Sequence, residues 1–320
     1  MSSTVYDWGS MPEPTDPELP RAVALAWGVA ANPQRGPKRE MSVEKIVDAA
    51  VEIADAEGLG SVSMAAVATR LGYTPMSLYR YVSAKDDLVL LMQEEATGLP
   101  PESIREQEGW RPRLEELYRA QVLVYLRHPW VLDIPISGSP TTPNSAAWMD
   151  AGLTALEGTR FTRTERLSVI LAITGLSRWC GSVLAAYARV ARESGLGDRE
   201  ITEREDALYR TLITAEAFPA LRAAIDDGAF LSDADPFALG IARFLDGIEA
   251  YVAGLGAGAP HEQQPAWAAD PDAELAADKR LREAQKGVRD AERALRDARR
   301  HERQTVREAR ERLKRSAATG

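Results

Sequence analysis

The sequence of this 320-residue chain predicts an all-α fold. Apolar residues recur at helical spacing in one segment after another, as at Met64, Val67, Ala68 and Leu71. Glycine and proline stand where these segments end or begin, and hydroxyl residues precede several of them. From Trp110 onward the chain is rich in Leu and Ala, which is typical of a helical domain.

The first 40 residues predict a Pro-rich leader, a short helical stretch over 19–30 and a basic connector over 32–40. The N-terminus has no basic region followed by an apolar core, so we expect no secretory signal. No segment has the ~18 to 20 uninterrupted apolar residues that a membrane span needs. Cys180, the single cysteine, is expected to be a buried hydrophobic residue. These features indicate a cytoplasmic protein without a membrane partner.

Residues 41–98 predict a separate bundle of short helices. Ser42 is expected to cap the first helix and Gly58 to end it. Two short helices follow within 61–85, and Ser83 is expected to cap a further helix after them.

The two short helices are joined at Gly72, where glycine can adopt the left-handed conformation that closes a helix. Thr74 is placed to cap the second helix, and Pro75 stands in its first turn. Leu78 and Val82 face back onto the first helix. The second helix then presents Arg, Tyr and Ser side chains from a rigid corner, which suits the DNA major groove.

The order of these helices and the run EGLGSVSMAAVATRLGYTPMSLYRYVSAKDDL resemble the TetR/AcrR family of bacterial transcriptional regulators. The specific match covers residues 42–98, and the L-G pair, the S-L-Y-R-Y-V run and the following Lys carry it. The resemblance implies a three-helix DNA-binding domain with a helix-turn-helix over 41–98. It also implies a helical ligand-binding and dimerisation domain over 99–258, with double-stranded operator DNA and a second copy of the chain as partners.

The family pattern implies that the start of the second short helix lies near base edges and that Arg80 and Tyr81 face the groove. Arg80 is the strongest base-reading candidate, because a guanidinium can pair bidentately with guanine. The Tyr79 ring either reaches a phosphate or packs on the helical corner. Ala65 stands where some members carry Arg, which implies weaker readout from the preceding helix. The implied DNA-contacting residues of the two helices are Ser63, Met64, Thr74, Pro75, Met76, Ser77, Tyr79, Arg80, Tyr81 and Lys85.

The connector ahead of these helices carries Arg35, Lys38 and Arg39. Such a segment either lies along the phosphate backbone or in the minor groove as a DNA-contacting arm, or is a solvated linker.

Within 99–258 the sequence predicts helices over 110–127, 145–157, 163–194, 203–227 and 235–255. The segments 164–192 and 235–255 are long and apolar. They are expected to form a four-helix bundle shared between the two subunits of a homodimer.

Large side chains with polar tips are frequent in the same domain. They either line a pocket for a small apolar effector or fill the helical core. The candidates are Trp110, Tyr118, Tyr125, Trp130, Trp148, Met149, Phe161 and Trp179.

No catalytic pattern is present in the sequence. His128, His261 and His301 lack metal-ligand spacing, and His128 is expected to stand at a helix end. There is no nucleophile elbow, phosphate loop or dinucleotide fingerprint. We therefore expect no enzyme activity, no cofactor and no metal.

Residues 259–320 predict a linker and a basic, Ala/Arg-rich helical tail. The segment 279–315 contains 15 Lys/Arg and 7 Asp/Glu, a net charge of +8 within a chain of −9. A narrow heptad seam runs through Leu281, Val288 and Leu295, with alanines between them. The tail is a solvated single helix, a helix that pairs with a partner, or a supplementary nucleic-acid contact.

Together these features predict a repressor that a small apolar ligand releases by tilting its DNA-binding heads. The alternative is a DNA-organising protein without a ligand switch, in which the basic tail supplies sequence-independent affinity.

Overall fold

A computed structural model describes residues 20–29, 41–136, 142–232, 234–262, 275 and 278–318 of the chain. It divides into two compact units, Met1–Ala259 and Pro260–Gly320. Throughout these described ranges the regular structure is helical and no strand occurs, which confirms the predicted all-α class. The boundaries predicted at residues 40 and 98 stay predictions.

The helices are numbered in chain order. In the first unit they are α1 (Arg21–Ala26), α2 (Val43–Glu57), α3 (Met64–Leu71), α4 (Pro75–Leu78), α5 (Lys85–Thr97), α6 (Ser103–Glu106), α7 (Trp110–Arg127), α8 (Pro143–Ala155), α9 (Arg163–Ser194), α10 (Asp198–Leu212), α11 (Pro219–Asp226) and α12 (Pro236–Gly256). Among the described residues, short 3-10 helices occupy Leu59–Ser61, Pro129–Asp133 and Ala229–Leu231. The second unit contains α13 (Lys279–Ala318).

Helices α2 to α5 surround a first hydrophobic core. The Ser42 hydroxyl accepts the Lys45 N–H at 3.3 Å, which confirms the predicted cap of α2. Gly58 ends that helix with φ +85°, as expected. Apolar side chains from all four helices are fully buried in this core, among them Ile46, Val67, Leu78, Leu88 and Met92.

Two predicted caps differ from the structure. The N-cap of α5 is Ala84, not Ser83, and it makes no side-chain hydrogen bond. Thr74 does occupy the N-cap position of α4, but its side chain caps nothing. Instead the Ser77 hydroxyl donates to the Thr74 carbonyl at 2.6 Å. The first turn of α5 is still favourable, because Asp86 and Asp87 lie at the positive end of the helix dipole.

A second core lies among α6, α7, α8, α9 and α12. Leu114, Leu117, Ile170, Ile173 and Leu245 are fully buried in it. The segment predicted as one helix over 203–227 is two helices, α10 and α11. The second of them begins at a proline, which cannot continue a preceding helix but fits a first turn.

Helices α7 and α9 approach closely at Gly181. A Cβ atom built at Gly181 would lie 2.7 Å from the Cβ of Tyr125, which belongs to the rigid part of that side chain. Gly175, two turns earlier in α9, has no heavy atom within 4 Å of the same built position.

We expect Gly181→Ala to lower the free energy of unfolding by about 1–3 kcal/mol, since the two helices must separate to admit the methyl group. Gly175→Ala is the matched control on the same helix. It should not lower the stability of the individual chain, because the added methyl group meets no other atom there and alanine favours the helix interior. Urea denaturation of both variants measures the difference, and equal effects would contradict the close contact at Gly181.

Helix α9 is only partly covered within a single chain. Leu171 is exposed, and Trp179 is 64% exposed. Its neighbours α7, α8, α10 and α12 cover only part of its circumference. By length and composition, an 18-residue stretch of α9 is apolar enough to cross a membrane, and 28% of that stretch is buried. A core helix of a protein that crosses no membrane can have the same length and composition.

Candidate DNA-binding surface and regulatory cavity

The corner between α3 and α4 is closed by backbone hydrogen bonds. Gly72 adopts φ +75° and ψ +29°, as predicted, which lets the Tyr73 N–H donate to the Ala68 carbonyl at 2.8 Å. Pro75 begins α4, and Leu78 anchors it with no exposed surface. The one-turn helix α4 is therefore held in a fixed orientation on α3.

Most of the predicted DNA-contacting side chains share the outer side of this corner. Met76 is 74% exposed and Tyr79 is also exposed, whereas Ser77 is half-buried. Ser63 caps α3 by accepting the Ala66 N–H at 3.1 Å and remains on the surface. We call the exposed set the recognition surface; it consists of Ser63, Thr74, Pro75, Met76, Tyr79, Arg80 and Lys85.

Two predicted contact residues are instead part of the first core. Tyr81 is only 9% exposed, so the expectation that it faces the groove is corrected. The reason is that α4 ends at Leu78, and the Tyr81 N–H donates to the Leu78 carbonyl in a turn that rotates its side chain inward. Met64 is buried as well, which agrees with its place on the apolar face of α3.

A hydrogen bond from α1 supports the backbone just after α4. The Arg21 guanidinium donates to the Arg80 carbonyl oxygen at 3.3 Å. The sequence of the short helical stretch over 19–30 does not predict this role of Arg21. Arg35, Lys38 and Arg39 of the predicted arm lie outside the described residues.

The second candidate site is a cavity of about 400 Å³ lined by residues of α5, α7, α8 and α9. Of the eight predicted pocket residues, Tyr125, Trp148 and Met149 line it. Its walls also include Val124, Ile170 and Leu171, so they are mainly apolar. The Trp148 indole N–H donates to the Gly98 carbonyl at 2.9 Å, which fixes that ring at the end of α5.

Five of the eight predicted pocket residues are absent from the cavity wall. Trp110 and Tyr118 pack against the second core, and Phe161 is buried there and stacks on Tyr251 at 5.7 Å between ring centroids. Burial, followed by the hydrogen bond with Cys180, raises the pKa of Tyr118, so its hydroxyl stays neutral.

The other two tryptophans of that group lie farther from the second core. Trp130 packs in the first core and is 2% exposed. Trp179 is on the outer face of α9.

The polar groups of the cavity were not singled out from the sequence. The Gln121 side chain accepts the Ser177 hydroxyl at 2.7 Å and donates to the Thr174 hydroxyl at 3.3 Å. Arg178 lines the same cavity. Burial raises the pKa of Tyr125, an effect that the neighbouring Arg178 charge partly offsets. The sequence does distinguish Arg178 as a candidate, because it is a charged residue inside a long apolar run.

A short segment links the cavity to α2. The Arg178 guanidinium donates to the carbonyl oxygens of Leu132 and Ile134 at 2.8 and 2.9 Å, so it holds the 3-10 helix Pro129–Asp133. Val131 of this segment lines the cavity and is also buried in the first core.

The other end of the same segment is fixed to α2 by a carboxylate. Asp55 Oδ1 accepts the Trp130 indole N–H at 2.6 Å and lies 2.8 Å from His128 Nδ1. His128 is the C-cap of α7, as predicted for a helix-end residue. We call Asp55, His128 and Trp130 the Asp55 cluster. Within the described part of the chain, no group of three or more His, Cys, Asp or Glu residues could hold a metal ion.

Comparisons with known proteins agree with this arrangement. Residues 46–92 match the family described as "Bacterial regulatory proteins, tetR family", and residues 102–252 match "Tetracyclin repressor-like, C-terminal domain". The chain is 34% identical over 238 residues to the HTH-type transcriptional repressor DrrR1 of Streptomyces coeruleorubidus. That alignment covers 74% of this chain and 87% of the relative.

Two solved structures from Streptomyces coelicolor show the same fold. One is a possible TetR family regulator with 20% identity and a TM-score of 0.54, aligned over 66% of this chain and all of that one. The other is ActR in complex with (S)-DNPA, with 23% identity and a TM-score of 0.51, aligned over 69% and 100%. The matched regions cover both the helix-turn-helix and the helices around the cavity. The chain therefore belongs to the TetR family of transcriptional regulators, which bind DNA and are not enzymes.

Proposed function

We propose that this chain is a homodimeric, cytoplasmic repressor that leaves its operator when a small, mainly apolar ligand fills the cavity. The observation that carries the proposal is the 3-10 helix Pro129–Asp133, which contributes to the cavity wall and also contacts α2. The relative from Streptomyces coeruleorubidus is a repressor, and ActR has been solved with a small-molecule ligand.

The exposed apolar residues of α9 and α12 support the dimer. Leu171 and Trp179 of α9 and Leu239 of α12 are exposed within one chain. A second copy packed on these two helices would cover them in a four-helix bundle. A dimer also supplies two recognition surfaces, as two half-sites one helical turn apart require.

The cavity determines the kind of ligand. Its volume of about 400 Å³ is suitable for a drug-sized molecule, and its walls are mainly apolar. Several polar side chains on the wall can take part in hydrogen bonds with a ligand, among them Gln93, Ser145 and Arg178. An aromatic or polycyclic molecule with one or two oxygen acceptors meets these requirements.

Release follows if the ligand binds one orientation of the segment better than the other. A ligand oxygen that draws the Arg178 guanidinium toward the cavity would weaken its bonds to the Leu132 and Ile134 carbonyls. The segment carries Trp130, so a shift there moves the Asp55 cluster and with it α2. The spacing of the two recognition surfaces would then no longer match the operator.

Operator binding by the dimer is the first test. Duplexes from the promoter of its own gene and of neighbouring genes are compared with random duplex in a gel-shift assay at about 0.15 M salt. We expect a clear preference for one promoter segment. Equal binding to random duplex would refute the repressor and favour a DNA-organising protein.

Ligand response is the second test. Apolar aromatic compounds are screened for those that raise the melting temperature of the free protein, since a ligand of the folded state stabilises it. We expect such compounds to weaken operator binding by about 5- to 150-fold. Compounds that stabilise the protein through the cavity but leave operator binding unchanged would contradict the release mechanism.

A further inference from the structure

Helix α13 carries a regular row of basic side chains. Lysine and arginine residues alternate by four and three positions, which places them on one face of a helix. We call this row the basic stripe; it consists of Arg282, Lys286, Arg289, Arg293, Arg296 and Arg300. In the sequence the same alternation continues without a break at Arg303, Arg307, Arg310 and Lys314.

The whole row is accessible to a partner. All six side chains of the basic stripe are exposed, and Arg300 pairs with Asp297 on its own helix at 2.8 Å. The apolar seam through Leu281, Val288 and Leu295 occupies a different face. Charge and apolar surface are therefore separated around the helix, which a helix solvated equally on all sides does not require.

We propose that the basic stripe binds the phosphates of duplex DNA without regard to sequence, as a second DNA contact in addition to the recognition surface. The six residues span 18 positions, or about 27 Å of helix at ~1.5 Å per residue. Duplex DNA carries about one negative charge per 1.7 Å of its axis, so every cation in that length can face a phosphate.

The rest of the chain is acidic, which is why a separate basic contact would strengthen DNA binding. Residues 279–315 carry +8, so the rest of the chain carries −17. That excess negative charge repels DNA at long range. The concentrated positive charge of α13 offsets the repulsion where the chain meets the duplex.

The apolar face of α13 argues for DNA over a lipid surface. Alanines at Ala284, Ala291 and Ala298 alternate with the three larger residues of the seam. Helices that lie in a membrane interface instead insert bulky Trp, Phe or Leu side chains across the whole apolar face.

The test compares two full-length variants with equal net charge. The stripe variant is Arg289→Gln, Arg293→Gln, Arg296→Gln and Arg300→Gln. The control variant, Arg280→Gln, Arg299→Gln, Arg312→Gln and Arg315→Gln, removes four positive charges that lie outside the alternating row. Glutamine is a good helix former, so circular dichroism should show unchanged helicity in both.

Binding to a random duplex is measured by fluorescence anisotropy over a series of salt concentrations. The stripe variant should lower the slope of log K against log salt by about three to four units per tail, at ~0.9 per lost phosphate contact. The control variant should lower it by less than half as much. Equal losses in both variants, or no loss in either, would overturn the proposal.

A membrane partner gives a different result. Vesicles of mixed anionic and neutral phospholipids are titrated with the same three proteins. Vesicle binding that depends on the basic stripe, together with an unchanged DNA salt slope, would assign the stripe to a lipid surface and refute the DNA contact. Random duplex is used throughout, so the result does not depend on whether the protein prefers an operator.

Discussion

Arg80→Ala should reduce the preference for operator over random duplex by roughly 10- to 100-fold, since a bidentate pair with a base contributes about 1–3 kcal/mol of discrimination. The Arg80 side chain is exposed beside Met76 and Tyr79 on the recognition surface. Its backbone carbonyl, not its side chain, receives the Arg21 contact. The substitution should therefore leave the fold intact, which a melting curve can verify.

Lys85→Ala is the matched control for Arg80. Lys85 is exposed at the first position of α5 and is expected to contact phosphate. Its removal should weaken binding to operator and random duplex by the same factor and reduce the salt slope by about one unit. If Arg80→Ala behaved in the same way, Arg80 would be a phosphate contact and base readout would lie elsewhere on the recognition surface.

Trp130→Ala should lower the free energy of unfolding by about 3–5 kcal/mol. This loss is a large part of the total free energy of unfolding of a typical folded protein, which is ~5–15 kcal/mol. The ring is 2% exposed and belongs to the first core, although it comes from the segment after α7. Its removal leaves a cavity beside α2 and takes away the indole donor of Asp55. Chemical denaturation measures the loss.

A milder pair of variants separates the hydrogen bond from the packing. Trp130→Phe keeps an apolar ring but removes the N–H that Asp55 accepts, and should cost about 1.5–3 kcal/mol because the acceptor is charged. Trp148→Phe removes an N–H from the neutral Gly98 carbonyl and should cost about 0.5–1.5 kcal/mol. A larger loss from Trp148→Phe would contradict the importance assigned to the Asp55 cluster.

The helix-turn-helix could be predicted from sequence because its signals are local. Gly72 and Pro75 fix the turn through their own backbone preferences, and the apolar spacing places Val67 and Leu78 inside. Tyr81 shows where such reasoning stops. Residue spacing predicts which way a side chain faces only within a helix. Tyr81 lies beyond the end of the one-turn helix α4, so the helical spacing does not apply to it.

A pocket lined by large side chains could be predicted from the sequence as one alternative, but not which residues line it. The sequence shows that aromatic residues are frequent, but which of them meet depends on how α5, α7, α8 and α9 pack. Phe161 and Trp148 look alike in the sequence and both belong to the second core, yet Trp148 lines the cavity and Phe161 does not. The link from Arg178 to the segment after α7 joins residues more than 40 positions apart, so no local pattern reveals it.

Cys180 can serve as a native probe of how often the packing around α9 opens. The thiol is buried within α9, beside the Tyr118 hydroxyl of α7, and burial raises its pKa. A thiol reagent can therefore modify it only when the helices packed around it move apart. The labelling rate of this single cysteine reports how often that happens, without any introduced probe.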